Sequence, residues 1–183
     1  DQIITQKPWS LASSLTTFSL SENFGIPAEE ISFHGIDYYF LNKAFLQGKP
    51  VIELEGMKAQ VDGFDKMSPK GQEDYLAGEL DSILIDNGKS VSKAIQESLN
   101  YWKNGDIESF EKNVKVSASV PSELNKMLFG VRDEEMAKKI MKLLESEEKG
   151  TYFVVVGAGH FLVDKNIRYH LEENGYDVKP FYQ

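Results

Sequence analysis

The sequence YFVVVGAGH, residues 152–160, decides the predicted fold. An unbroken run of aromatic and β-branched side chains ends in two glycines and one histidine, and such a run is typical of a buried strand. Gly157 and Gly159 predict a tight exit from this strand, where the backbone comes close to another backbone or to a ligand. His160 is therefore expected just past the carboxyl end of a strand, where open α/β sheets place their ligand sites.

Two more strands are predicted, one in the first third of the chain and one close to its carboxyl end. Residues 51–55 alternate between apolar and acidic side chains, and residues 176–181 follow a helix predicted over residues 164–174. About seven helices complete the pattern, with Ser68 and Asp133 among the expected caps. We therefore predict an α/β fold that is helix-rich, with a small mixed or parallel sheet. A helical insert over residues 68–130 would separate the sheet-forming ends of one domain, residues 1–183.

Composition narrows the classes of function. The chain has 183 residues with 29 acidic and 20 basic side chains, a net charge of −9 that disfavours a nucleic-acid partner. It has no cysteine, which excludes disulfides, thiolate metal sites and a cysteine nucleophile. No apolar run reaches the roughly 18 residues that a membrane-spanning helix needs, so no transmembrane segment is predicted.

The three histidines are not equally good candidates for a functional site, and no two of them have the spacing of metal ligands on one helix. His34 is expected in an exposed loop, and His170 is expected half-buried on a helix. His160 has two interpretations: a capping or core histidine, or a metal ligand or general base at a cleft.

Two other side chains could join His160 in a site. Glu55 stands at the end of its predicted strand, and in adjacent parallel strands it would lie beside His160. A carboxylate next to an imidazole suits a divalent metal ion or a metal-activated water. Arg132 could clamp a carboxylate or phosphate, or it could form a surface ion pair. Gly157-Ala-Gly159 lacks the third glycine of a dinucleotide fingerprint, so that function is not favoured.

Several short segments of the chain, taken together, carry a resemblance to a known family. The segments are KPW (7–9), GIDYYF (35–40), GKPV (48–51), ELE (53–55) with Gln60, WKNGD (102–106), RD (132–133) with MA (136–137), FVVVGAGH (153–160) and GYDV (175–178). In this order they resemble the TraB/GumN family, which also includes the Tiki proteins. Asp133 departs from the resemblance, because the family often has Asn there.

The resemblance implies an α/β fold related to erythromycin-esterase-like and ChaN-like proteins, with two Gly-x-x-His motifs in its site. Residues 157–160 match the second motif, and nothing in this chain matches the first. Together with a start at Asp1 rather than Met, this predicts a trimmed polypeptide that holds the carboxyl-terminal two-thirds of the family domain. Such a piece is not expected to catalyse a reaction by itself.

The resemblance also implies an activity, because Tiki-like members are described as metal-dependent peptidases. By position, His160 and Glu55 would hold a divalent ion (Mn, Co or Zn), and Arg132 would be the third catalytic residue. Gly157, Gly159, Gln60 and Asp37 would support them.

The predicted function is thus a metal-dependent, peptidase-like hydrolase acting on a peptide or another small molecule. One alternative is a non-catalytic module that binds a peptide or a haem-like ligand between Tyr39, Phe40 and Phe161. Another is a purely structural helical domain, in which His160 would be packed and unpaired with any acid. A homo-oligomer is allowed, as is a full-length protein that is extracytoplasmic or membrane-anchored, although the sequence assigns no location.

Overall fold

A computed structural model describes residues 5–31, 33, 35–118, 122–146 and 150–179. Within these ranges the chain forms eleven helices and no β-strand. The helices are α1 (Pro8–Phe24), α2 (Ala28–Ile31), α3 (Ile36–Leu46), α4 (Met57–Lys66), α5 (Pro69–Asp86), α6 (Lys89–Asn104), α7 (Ile107–Ala118), α8 (Glu123–Leu128), α9 (Val131–Leu144), α10 (Gly159–Leu162) and α11 (Ile167–Glu173).

The predicted α/β fold with a small sheet is therefore wrong for the described chain. Residues 51–55, 152–156 and 176–179 are irregular segments, and no backbone hydrogen bond joins two of them in the part of the chain described. The end of the third predicted strand, residues 180–181, lies outside the described residues. The physical reason is that strand propensity reports how well a side chain fits a pleated, half-buried surface, whereas a strand also needs a hydrogen-bonded neighbour.

These three segments pack their side chains on helices instead. The buried core cluster comes from α9 and α11, and half-buried side chains of all three segments lie against it. The apolar character of the predicted strands thus indicates burial for these side chains only, because Val51, Ile52 and Phe153 of the same segments are 53%, 56% and 74% exposed. The buried members are Met136, Ala137, Ile140, Ile167 and Leu171, and the flanking ones are Leu54, Met141, Val154, Val156, Tyr176 and Val178.

The remaining long helices form a bundle. Helix α5 lies along α1, and α6 packs on both of them and on α7. Ser68 caps α5 as predicted, accepting a hydrogen bond from the Gly71 N–H at 3.0 Å. Helix α8 contacts α4, α5 and α9, so it connects the bundle to the core that carries the site. The prediction of a single domain with an insert over residues 68–130 stays a prediction.

Two helix boundaries near the site differ from the predicted ones. The helix expected over residues 164–174 begins later, at Ile167, with Asn166 accepting a hydrogen bond from the Tyr169 N–H at 3.0 Å. His160 lies in an unpredicted single turn, α10, that directly follows residues 152–157. Asp133 is not the residue that precedes its helix, because α9 begins at Val131 and places Asp133 inside the first turn.

None of the described helices has the length and apolar character needed to cross a membrane.

Candidate functional site

The amino-terminal turn of α9 carries Arg132, which forms a two-pronged ion pair with Glu55. The Arg132 Nε donates to Glu55 Oε1 at 2.8 Å, and Nη2 donates to Oε2 at 2.5 Å. Nη1 donates to the Leu128 carbonyl oxygen at 2.9 Å. Both side chains are mostly buried, with 19% of Arg132 and 15% of Glu55 exposed. Each of the three guanidinium nitrogens thus donates a hydrogen bond within the protein, and two of these bonds hold the Glu55 carboxylate.

The Glu55 carboxylate is kept ionised by this environment. Burial by itself would raise the pKa of Glu55, but the hydrogen bonds and charge of Arg132 oppose it. Gln60 Nε2 donates to Oε2 at 3.4 Å, and the nearby His160 adds positive charge when protonated. The net result is a pKa below the ordinary value of 4.5. The structure thus brings together three of the predicted site residues, namely Glu55, Arg132 and the supporting Gln60.

Asp133, the next residue along α9, pairs with His160. Nδ1 of His160 lies 2.8 Å from Oδ1 of Asp133, and Oδ2 of the same carboxylate accepts the Gly130 N–H at 2.9 Å. Asp133 is fully buried, while 13% of the His160 side chain is exposed. A carboxylate accepts hydrogen bonds, so this pairing favours a proton on Nδ1 and leaves the lone pair on Nε2 available. The pairing argues against the purely structural alternative, which expected His160 without an acid.

Asp133 is the site residue that sequence reasoning missed, although a signal for it existed. Asp133, Met136, Ala137 and Ile140 follow the i, i+3, i+4, i+7 spacing of one helix face. The last three are buried in the core, so the first must face the same way. An acid on an apolar face requires a partner, because an unpaired buried charge is costly. His160 is that partner.

The two glycines before His160 play different parts. A Cβ on Gly159 would stand 3.0 Å from Phe129 Cε1, whereas a Cβ on Gly157 would have only His160 Cδ2 nearby, at 3.7 Å. The Phe129 ring lies edge-on to the imidazole, with ring centroids 5.7 Å apart. The close approach predicted for this turn is therefore found at Gly159. It lets Phe129 cover one side of His160.

The other predicted residues lie apart from this group. Asp37 is exposed in the first turn of α3, and among the described residues no hydrogen bond or ion pair joins it to Glu55, Arg132 or His160. His170 is half-buried on α11, as expected, and His34 lies outside the described residues. Of the proposed aromatic walls, Tyr39 and Phe40 contact each other at 5.2 Å between centroids. Phe40 also contacts Phe153 at 4.9 Å, whereas Phe161 is on α10.

The resemblance implies a bound metal ion, and the side chains near His160 can be compared with what such an ion needs. In the ranges that the structure describes, no cluster of three or more His, Asp or Glu side chains could hold an ion. His160 offers one uncommitted nitrogen, and Glu55 could bind an ion only while sharing its oxygens with Arg132. Catalytic zinc centres commonly use three protein ligands. The described residues therefore fit part of a metal site and not a whole one.

Comparison with known proteins gives a consistent family signal. YbaP, an uncharacterized protein of Escherichia coli (strain K12), is 27% identical over 163 residues, which are 89% of this chain and 55% of YbaP. Metalloprotease TIKI2 of Danio rerio is 28% identical over 105 residues, 57% of this chain and 18% of that protein. A metalloprotease TIKI homolog of Amphimedon queenslandica is 40% identical over 47 residues, 26% of this chain and 9% of that protein. No solved structure matches the chain significantly.

The matches cover different shares of this chain and of its relatives. The chain spans about half the length of the YbaP proteins that it matches, and less of the TIKI proteins. A family model described as the TraB/PrgY/gumN family matches residues 1–180, which is nearly the whole chain. That span contains Glu55, Arg132, Asp133 and His160 in the geometry described above, and the chain belongs to the TraB/PrgY/gumN family.

Proposed function

We propose that the protein is a metal-dependent hydrolase of the peptidase type, with His160 as a metal ligand. The observation that carries the proposal is the contact of the buried Asp133 carboxylate with Nδ1 of His160, which leaves Nε2 as the ring nitrogen available to a ligand. Metal-bound histidines commonly donate their other ring N–H to a carboxylate in this way. The TIKI relatives named metalloproteases support the same class of activity.

Each of the remaining site residues has a role in the proposal. Glu55 would be the second ligand, shared with Arg132, or a carboxylate that balances positive charge beside the ion. Arg132 and Gln60 hold Glu55 in place. Gly159 allows Phe129 to shield one side of the imidazole from water. Gly157 begins the turn by accepting the His160 N–H at 3.0 Å. Asp37 is proposed as a supporting residue on its sequence position alone.

The reaction class follows from what such a site supplies. A divalent ion, when bound, polarises a carbonyl and lowers the pKa of a bound water. Peptide hydrolysis then adds water to the carbonyl carbon, breaks the C–N bond and passes a proton to the leaving amine. The two candidate ligands here are fewer than such a centre uses, so further ligands would come from outside the described residues. We propose Mn²⁺, Co²⁺ or Zn²⁺ as the ion.

Calorimetric titration with Mn²⁺ and Zn²⁺ tests the proposal. We expect the protein to bind one of these ions and His160→Ala to bind it at least about 10-fold more weakly, as for the loss of a ligand or its support. His170→Ala is the matched control, because it removes the imidazole of α11 and should leave binding unchanged. Equal ion binding by the parent protein and His160→Ala would exclude His160 as a ligand.

A non-catalytic binding module is a second candidate, favoured by exposed aromatic side chains beside α3. Tyr39 is 55% exposed and Phe153 is 74% exposed, and both contact Phe40. Such a surface could bind a peptide or a flat apolar ligand. Incubating the protein with a mixture of peptides and each metal ion separates the two candidates by mass spectrometry. Cleavage that requires His160 supports the hydrolase, and retention of intact peptides by the parent protein and His160→Ala alike supports the binding module.

A further inference from the structure

We propose that α3 forms the interface of a homodimer, in which its exposed face packs against the same face of a second copy of the chain. The proposal does not depend on the proposed function, because neither Glu55 nor His160 lies on α3. Helix α3 takes part in none of the main helix–helix contacts of the described chain, and none of its residues is buried. An isolated helix of this length is marginal in water, so a surface that covers α3 would stabilise it.

The exposed face of α3 is an apolar stripe with one polar residue at its centre. Phe40 and Ala44 are half-buried one turn apart, and they mark the side of α3 that faces the protein. Phe45 and Leu46, on the other side, are 83% and 79% exposed. A stripe at this spacing is typical of a seam between two helices. Its members, all exposed, are Tyr38, Tyr39, Asn42, Phe45 and Leu46.

The apolar area of this face is large enough for a dimer. Phe33 and Leu41 are exposed beside the stripe, and the Phe33 ring lies edge-on to Tyr38. With about 200 Å² for a large side chain when fully exposed, these two and the four apolar members of the stripe expose roughly 700 Å². The largest apolar patch of an ordinary monomer is about 300–600 Å². Two such faces would bury roughly 1,400 Å², which lies within the about 1,200–2,000 Å² of specific interfaces.

Asn42 is the reason to assign this face to a second copy. Its side chain is exposed, and no hydrogen bond joins it to another described residue. A side-chain amide is both a donor and an acceptor, so it can pair with its own copy across a two-fold axis, whereas an ammonium or a carboxylate cannot. A single Asn in an apolar helix seam also fixes the register of the two helices.

A two-fold axis at Asn42 matches the whole stripe with itself. The axis makes α3 antiparallel to its copy, so residues equally far from Asn42 in opposite directions face each other. Tyr39 of one copy then faces Phe45 of the other, and Tyr38 faces Leu46. Every apolar member of the stripe thereby meets another apolar member.

The charges of α3 suit self-association and set its salt dependence. Asp37 and Lys43 are its charged residues and cancel each other, whereas the whole chain has a net charge of −9. Two acidic copies therefore repel each other least through this face. Salt should tighten the dimer, because it screens the remaining repulsion, whereas it would weaken an interface of ion pairs.

Sedimentation velocity over a range of protein concentrations tests the proposal. We expect a monomer–dimer equilibrium with a Kd of about 1–100 µM, which tightens between about 0.05 and 0.5 M NaCl. Leu46→Ser should raise the Kd at least about 10-fold. The matched control is Leu84→Ser, since Leu84 is 80% exposed on α5, and it should change the Kd less than about 2-fold.

Asn42→Asp tests the position of the axis. Two carboxylates would face each other there, so the Kd should rise at least about 10-fold. Asn100→Asp makes the same charge change on an exposed position of α6 and should match the parent. Circular dichroism should show both variants folded, because both side chains are exposed in a single copy.

The outcomes that overturn the proposal do not all need a variant. A parent protein that stays monomeric up to about 1 mM overturns it, and the α3 face is then left to a peptide or to another polypeptide segment. A dimer that Leu84→Ser weakens and Leu46→Ser leaves intact also overturns it, because the interface would then lie on α5. Equal dimerisation by Asn42→Asp and the parent overturns the two-fold axis on which the choice of a second copy rests.

Discussion

Replacing Arg132 by Met should destabilise the protein far more than the loss of an ordinary surface ion pair. Arg132→Met keeps an unbranched apolar side chain and removes the guanidinium with its three donor nitrogens, which leaves Glu55 with Gln60 at 3.4 Å as its remaining hydrogen-bond donor among the described residues. The Leu128 carbonyl loses its contact with the guanidinium as well. The variant therefore tests whether the pair that orders the amino terminus of α9 contributes to stability.

The expected size of the effect follows from burial. Exposed ion pairs contribute about 0–1 kcal/mol, whereas removing one partner of a buried pair costs about 3–5 kcal/mol. With 19% and 15% of the two side chains exposed, the pair lies closer to the buried case. We expect Arg132→Met to lower the free energy of unfolding by about 2–3 kcal/mol. Glu55→Gln should be milder, because a neutral amide can stay buried with less penalty.

Urea unfolding monitored by circular dichroism measures these differences. The matched control is Lys58→Met, which breaks a Lys–Asp pair on α4 whose side chains are 86% and 44% exposed. That variant should lose no more than about 1 kcal/mol. A double variant of Glu55 and Arg132 should lose less than the sum of the single losses, with a coupling of about 1–2 kcal/mol. If Arg132→Met and Lys58→Met lose the same amount of stability, the pair of Arg132 and Glu55 is not the buried anchor described here.

Four further outcomes are expected. Because the pKa of Glu55 is below 4.5 in the folded state, its contribution is present above about pH 4.5 and lost as the pH falls through the folded pKa; unfolding at several pH values should therefore show the gap between the parent and Glu55→Gln narrowing with acid. Gly159→Ala should destabilise by about 1–2 kcal/mol in urea, since its Cβ meets Phe129, whereas Gly157→Ala should be close to neutral; equal effects would contradict the contact. Ile167→Ala, in a fully buried position, should lower the free energy of unfolding by about 2–4 kcal/mol, and a loss below about 1 kcal/mol would contradict the burial of Ile167 in the core. Ser68→Ala removes the cap of α5 and should lower the free energy of unfolding by about 1 kcal/mol, which a lower melting temperature would reveal.

The helices were predictable because their signals are local. Pro8 at the start of α1, Ser68 before α5 and the left-handed Gly105 after α6 each act within a few residues of the chain. The predicted sheet, which the described residues do not form, rested on a weaker kind of signal. Residues 152–156 have the composition of a strand, but a strand also depends on a partner elsewhere, and composition does not report that partner.

The site shows the same division between local and distant information. His160 and Glu55 were singled out by position along the chain, and Arg132 was given two possible roles. The structure pairs Arg132 with Glu55 across 77 positions of sequence, and no local pattern specifies that pairing. Asp133 was predictable in principle, since helical spacing puts it on the buried face of α9. Interpreting it only as a cap left its partner, His160, unidentified.

Paramagnetic broadening by Mn²⁺ tests most directly whether His160 is a metal ligand. In ¹⁵N-labelled protein, small additions of Mn²⁺ should broaden the imidazole signals of His160 first, while those of His170 on α11 persist. An excess of Zn²⁺ should restore the His160 signals by competition. Uniform broadening of both histidines, or persistence of His160 at Mn²⁺ concentrations that saturate the protein, would contradict a metal site at Nε2 of His160.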